Sequence, residues 1–220
     1  MFDEWMAALE ARHLADLTFS EVSRALRALS STYVERRGRI AAGAALSGAG
    51  KRAAFALFYG PLHFLLIHEI VRSLNATHGV TRIADVGCGT GASGASWARV
   101  CASASADAAG PAVHGLDLHP WVLQEAAWTY RQFGLRGRTS RINLAAQTLP
   151  RERSAWLAAF ALNELAPSER EGLIAQLFER RKAGDSVLIV EPLAGFVAPW
   201  WAGCARQVEE SGGRADEWRF

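Results

Sequence analysis

Residues 80–94 concentrate the candidate chemistry of this chain. A β-branched run, Val80-Thr81-Arg82-Ile83, leads into Ala84-Asp85-Val86-Gly87-Cys88-Gly89-Thr90-Gly91-Ala92-Ser93-Gly94. The expected elements are a strand, a tight glycine turn and a helix start. Glycines suit such a turn because they adopt φ > 0 and lack Cβ, so a ligand can lie against bare backbone amides at a helix N-terminus. Gly89, Gly91 and Gly94 satisfy the GxGxxG spacing of a dinucleotide site, and Asp117 follows at the distance of a ribose-binding acid. Asp85 fits that reading poorly. A carboxylate two residues before the first glycine repels a pyrophosphate laid over the turn and attracts a cationic ligand instead.

The segment from Asp85 to Gly91 resembles the first motif of the class I S-adenosylmethionine-dependent methyltransferases. Their cofactor carries ammonium and sulfonium charges. The resemblance implies an S-adenosyl-L-methionine site built from Asp85, Gly87, Cys88, Gly89 and Gly91, with Asp117 and Leu118 after the second strand. Asp117 would take both ribose hydroxyls, since the two oxygens of a carboxylate accept independently. Many relatives read the adenine amino group with an aspartate after the third strand. This chain offers Ala145-Ala146-Gln147-Thr148, which makes Gln147 the candidate. Asn163 and Glu164 follow the fourth strand, at the carboxyl end of a parallel sheet where ligands bind. Asn163 could touch the cofactor and orient an acceptor, and Glu164 could serve as base or cation partner; either could equally cap a helix. Tyr59 and His63 flank Gly60-Pro61 and could form a lid over the pocket, or simply pack at a helix joint.

The implied activity is methyl transfer to rRNA or a small molecule. The N-terminal helices, with Asn163-Glu164-Leu165 and Val190-Glu191-Pro192, are also similar to methyltransferase-like proteins associated with the small ribosomal subunit. That similarity would imply an rRNA or ribosome partner and keeps open a non-catalytic assembly factor that holds the cofactor. An NAD-dependent oxidoreductase is the other alternative, and no hydride-transfer constellation supports it.

Composition bounds these readings. With 220 residues, 50% of them hydrophobic, the chain can bury a sizeable core, and its net charge of +2 neither requires nor excludes a polyanion partner. Lysine occurs only at Lys51 and Lys182. Cys88, Cys101 and Cys204 form no CxxC pair, so neither a disulfide framework nor a metal site is expected, and a reducing, cytoplasmic setting is the simplest expectation. Acids near the N-terminus argue against a signal peptide. The apolar run from Ala53 to Ile67, interrupted by Gly60-Pro61 and His63, reads as a buried helix pair rather than a membrane span. Gly50-Lys51 is not a phosphate loop, because Ala45 and Arg52 stand where glycine and Ser/Thr are needed.

The pattern predicts an α/β chain: a helical cap over 1–78 and, over 79–220, a Rossmann-like, doubly wound, mostly parallel sheet. A helix is expected from Asp3 to Leu14. A second follows the Thr18-Phe19-Ser20-Glu21 capping box, with a stripe of Phe19, Val22, Leu26, Leu29 and Tyr33. Its cationic end, Glu35-Arg36-Arg37-Gly38-Arg39, precedes a loop or weak helix over 40–50. Gly60 should close one helix and Pro61 open the next, with Leu62, Leu65, Leu66, Ile70 and Leu74 facing the core. Later strands are expected at 112–117, 138–145, 154–162 and 186–190. Helices are expected at 121–133, from a Ser168–Glu171 capping box to Lys182, and at 195–210. Residues 215–220 could begin a sixth strand. No residues remain for the seventh strand usual in this family, so the resemblance implies a truncated core with an exposed edge open to aggregation or dimerisation.

Overall fold

The computed structural model describes residues 1–35, 46–105, 110–192 and 198–220. The Tyr33 side chain, the Arg36–Arg39 run, residues 40–45 and the first part of the helix expected from Gly195 lie outside the described residues. Five strands form one sheet: β1 (Arg82–Val86), β2 (Ala112–Asp117), β3 (Gly137–Arg141), β4 (Ala155–Ala159) and β5 (Ser186–Val190). Their order is β3-β2-β1-β4-β5, and every pairing is parallel. The chain winds outward from β1 to β3, then crosses back to β4, which leaves a crevice at the carboxyl ends of β1 and β4.

Alternation along the strands separates two apolar layers. Ile83, Val113, Ala155 and Leu157 face a layer with residues from α1 (Phe2–His13), α4 (Gly60–Ser73), α5 (Ala92–Ser103) and α6 (Pro120–Gln132). Ala84, Leu116, Trp156 and Ala158 face α7 (Pro167–Lys182) and α8 (Trp201–Glu210). The N-terminal helix is therefore built into the main core: Trp5 and Leu9 are buried with Phe64 and Phe133. On α6, the buried Glu125 accepts from Arg12 at 2.6 Å and sits 3.1 Å from His13 Nε2, tying α1 to α6. The three cysteines are free and buried.

The next helix, α2 (Phe19–Glu35), begins with a reciprocal cap. Thr18 N donates to Glu21 at 2.8 Å, and Glu21 N donates to the Thr18 hydroxyl at 3.3 Å. Val22 and Leu29 are buried against Ala53 and Ala54, whereas Phe19 points outward at 78% exposure.

The expected break at Gly60-Pro61 does not occur. A short α3 (Ala49–Ala54) runs through a π-turn (Phe55–Tyr59) into α4, giving one continuous helix over Ala49–Ser73, 25 residues that are long and apolar enough to span a bilayer by length and composition. The wide turn absorbs the proline: Gly60 N bonds back to the Phe55 carbonyl, five residues away, just before Pro61, which has no N–H to place. The added residue also rotates the helix face. Phe64, Ile67, Ile70 and Val71 are buried, while the expected core residues Leu62 and Leu65 are exposed.

Three further boundaries differ from expectation. β3 stops at Arg141 because Asn143 opens a turn whose backbone bonds run among residues 143–147. β4 stops at Ala159 because Phe160 takes φ 59, which no strand can continue, and a 3-10 turn (Leu162–Glu164) follows. α7 starts at Pro167, with Glu169 accepting from Ala166 N at 2.9 Å, so Ser168 is not its cap. Residues 215–220 form no strand, and among the described residues nothing pairs with the outer edge of β5. An apolar groove of about 690 Å³ follows that edge.

Candidate active site

A cleft of about 630 Å³ opens at the carboxyl ends of the strands. Its floor is the glycine turn after β1, where Gly87, Cys88 and Gly89 line the cavity. Gly87 has φ 69, and a Cβ there would lie 2.5 Å from the Ala161 Cβ, so only glycine lets the turns after β1 and β4 approach this closely. Gly91 serves a different purpose. It caps α5 at φ 77 and faces α6, where a Cβ would meet Tyr130 Cε1 at 2.8 Å. It does not line the cleft, so its expected place in the ligand site is corrected to a packing role.

Asp85 is likewise relocated. It is 1% exposed, does not line the cleft, and accepts from Gly94 N at 2.9 Å. That bond fastens the first turn of α5 to the end of β1. Burial pushes the Asp85 carboxyl up to about 7 against the opposing Gly94 hydrogen bond. The carboxyl thus lies behind the glycine turn, bonded to α5, rather than in the wall of the cleft.

Asp117 does reach the cleft, with Leu118 beside it. Its Oδ2 accepts from Gly89 N at 3.2 Å and its Oδ1 from His119 N at 3.0 Å. With the Leu118 amide as a third donor, the carboxylate keeps only its remaining acceptor capacity for a ligand hydroxyl. Burial raises its pKa, and the surrounding amides oppose that rise. Gln147 is a further correction. Its amide oxygen accepts from Asn143 N at 2.6 Å, and the side chain is exposed outside the cleft. Asn143, Leu144 and Ala145 form that wall instead.

The opposite wall brings together Tyr59 and His63 from the helix and Phe160, Asn163 and Glu164 from the end of β4. His63 stacks on Phe160 with centroids 4.0 Å apart, and burial lowers its pKa to about 4, leaving the imidazole neutral at physiological pH. Asn163 is held on both sides: its Nδ2 donates to Glu191 at 2.6 Å, and Trp200 Nε1 donates to its Oδ1 at 3.0 Å. Glu164 sits exposed at the rim.

No family profile matches the sequence, and no curated protein matches it significantly. Solved structures do match in fold. The S-adenosylmethionine-dependent methyltransferase SibL, in its apo form, superposes at TM-score 0.56 with 19% identity over 98% of this chain and 71% of its own. The fold is that of class I methyltransferases. An O-methyltransferase family protein from Burkholderia thailandensis reaches TM-score 0.59 at 17% identity, covering 98% of this chain and 67% of its own. The mitomycin 7-O-methyltransferase MmcR reaches 0.53 at 15% identity, covering 96% and 67%.

Within this methyltransferase fold, Glu191 is the cleft residue that sequence reasoning passed over as a candidate. Its Oε1 accepts from Leu162 N at 2.7 Å and its Oε2 from Asn163, which clamps the turn after β4. Burial pushes its carboxyl up to about 7, against hydrogen bonds from Leu162 and Asn163. Its position at the end of a mostly apolar strand was the available signal, as it was for Asp117 at the end of β2.

Proposed function

We propose that this chain is an S-adenosylmethionine-dependent methyltransferase. The observation that carries the reading is the Asp117 carboxylate turned into the cleft beside the bare amides of the Gly87–Gly89 turn. That pair matches a nucleoside: hydroxyls for the acid, and a chain lying against backbone where Gly87 leaves no room for a side chain. Asn143–Ala145 flank the space where a base would lie. The cofactor, when bound, supplies a methyl group made electrophilic by its sulfonium. The chain's own tasks are to hold the two reactants in line, exclude water and receive any proton the acceptor gives up. Glu191 and His63 are the half-buried titratable groups on the acceptor side.

Titration calorimetry with S-adenosylhomocysteine, and separately with NAD, tests the reading. S-adenosylhomocysteine should bind, and Asp117→Ala should weaken it by roughly 1 to 3 kcal/mol, the cost of leaving buried hydroxyls unpaired. Preference for NAD, or an affinity for S-adenosylhomocysteine indifferent to Asp117→Ala, would overturn it.

A further inference from the structure

With the β1–β3 loops assigned to the cofactor, the rest of the cleft must receive the acceptor. Its walls are Tyr59 and His63 on the helix, Phe160 and Glu164 after β4, and Glu191 after β5. The rings form a continuous surface: the Tyr59 and His63 centroids lie 5.9 Å apart, and His63 stacks on Phe160 at 16° between planes. Phe160 N donates to the Val190 carbonyl at 2.8 Å, which sets this aromatic wall beside Glu191. Among the described residues lining the cleft are the carboxylates of Asp117, Glu164, Glu169 and Glu191, and no lysine or arginine. Aromatic faces present negative potential, and nearby carboxylates add to it, so such an enclosure favours a cation. A phosphate-bearing acceptor such as RNA would bring negative charge against these carboxylates with no described cation lining the cleft to offset it.

We infer that the acceptor is a small molecule bearing a protonatable amine, held between the Tyr59–His63–Phe160 rings and the carboxylates of Glu191 and Glu164. This inference rests on the methyltransferase reading above. An ammonium has no lone pair, so it must lose a proton before its nitrogen can form the new N–C bond; as that bond forms, the C–S bond breaks and its electron pair stays on sulfur, leaving a neutral thioether. Glu191 is placed to take the proton. The turn after β4 holds it by Leu162 N at 2.7 Å and Asn163 Nδ2 at 2.6 Å, with the Ala161 and Asn163 amides beside them, and its residue lines the cleft. Its raised pKa suits exchange of that proton with solvent near neutrality.

Three probes of one skeleton separate charge from shape: 2-phenylethylamine, 2-phenylethanol and phenylacetate, each titrated by calorimetry into protein saturated with S-adenosylhomocysteine. A short RNA hairpin serves as a fourth. The amine should bind at least about tenfold more tightly than the alcohol and more tightly still than phenylacetate, and Glu191→Gln should remove most of that preference. Equal affinities, preference for the alcohol, phenylacetate or RNA, or no binding of the amine would overturn the amine inference while leaving the methyltransferase reading intact. Failure of the wild-type protein to bind S-adenosylhomocysteine would overturn both. If Glu191→Gln does not fold, the wild-type ranking of the four probes and the Glu164→Gln variant decide the matter.

Discussion

Asp85→Asn tests the finding that the acid at the head of the glycine motif is buried as a structural group. Its carboxyl rises from an ordinary 3.8 to about 7 because burial disfavours the charge. The folded state therefore holds a proton that the unfolded chain releases near pH 4. Where the native state binds more protons, stability falls as pH rises, so the penalty begins near the unfolded value and is complete above about pH 7. At about 1.4 kcal/mol for each decade of pH, the full penalty is on the order of 4 kcal/mol, of which roughly 2 to 3 kcal/mol accrues between pH 5 and pH 8. Asparagine can still accept from Gly94 N and does not titrate. Its buried second amide hydrogen displaces the whole stability curve and leaves the slope untouched. Urea denaturation of both proteins at pH 5 and pH 8 should therefore show the wild type losing roughly 2 to 3 kcal/mol more than the variant over that interval. Parallel losses within about 1 kcal/mol would refute the placement of Asp85 in a low-dielectric site.

Gly91→Ala should cost roughly 2 to 5 kcal/mol in urea denaturation, combining left-handed strain with overpacking against Tyr130 and Ala126. A loss below about 1 kcal/mol would mean that α6 retreats freely. Gly87→Ala places its Cβ on Ala161 and should lower affinity for S-adenosylhomocysteine by roughly tenfold or more in calorimetry, because the turns after β1 and β4 must part. Arg12→Ala leaves buried Glu125 with only His13 and should destabilise the fold by roughly 2 to 4 kcal/mol at pH 7. Burial pushes Glu125 up, but bonds from His13 and Arg12 outweigh it and hold the pKa low, so the stability from this clamp is present at neutral pH and lost as pH falls through the carboxylate range. Thermal melts at pH 7 and pH 3 should show the variant's deficit shrinking in acid.

Much of this architecture is written in local patterns. The Thr18–Glu21 cap, the β5 bounds and the strand–glycine turn–helix unit each depend on neighbours in sequence, because capping bonds and turn dihedrals are satisfied within a few residues. Asp117 was legible for the same reason: an acid closing an apolar strand has to lie at the sheet's carboxyl edge. Other features depended on what approaches from far along the chain. Local signals broke the helix at Gly60-Pro61, but the wide turn at Phe55–Tyr59 carried it through and exchanged Leu62 and Leu65 for Phe64 and Ile67 in the core. Asp85 and Gly91 belong to one motif, yet their side-chain positions face α5 and α6 rather than the cleft, because burial on a sheet face is decided by the helices that cover it. The sequence determined the sheet, the glycine turn and an acid at the sheet's carboxyl edge. Only tertiary packing decided that Glu191, 74 residues beyond Asp117, becomes the half-buried carboxylate of the opposite wall, since charge and desolvation are properties of the enclosure and not of the chain that threads it.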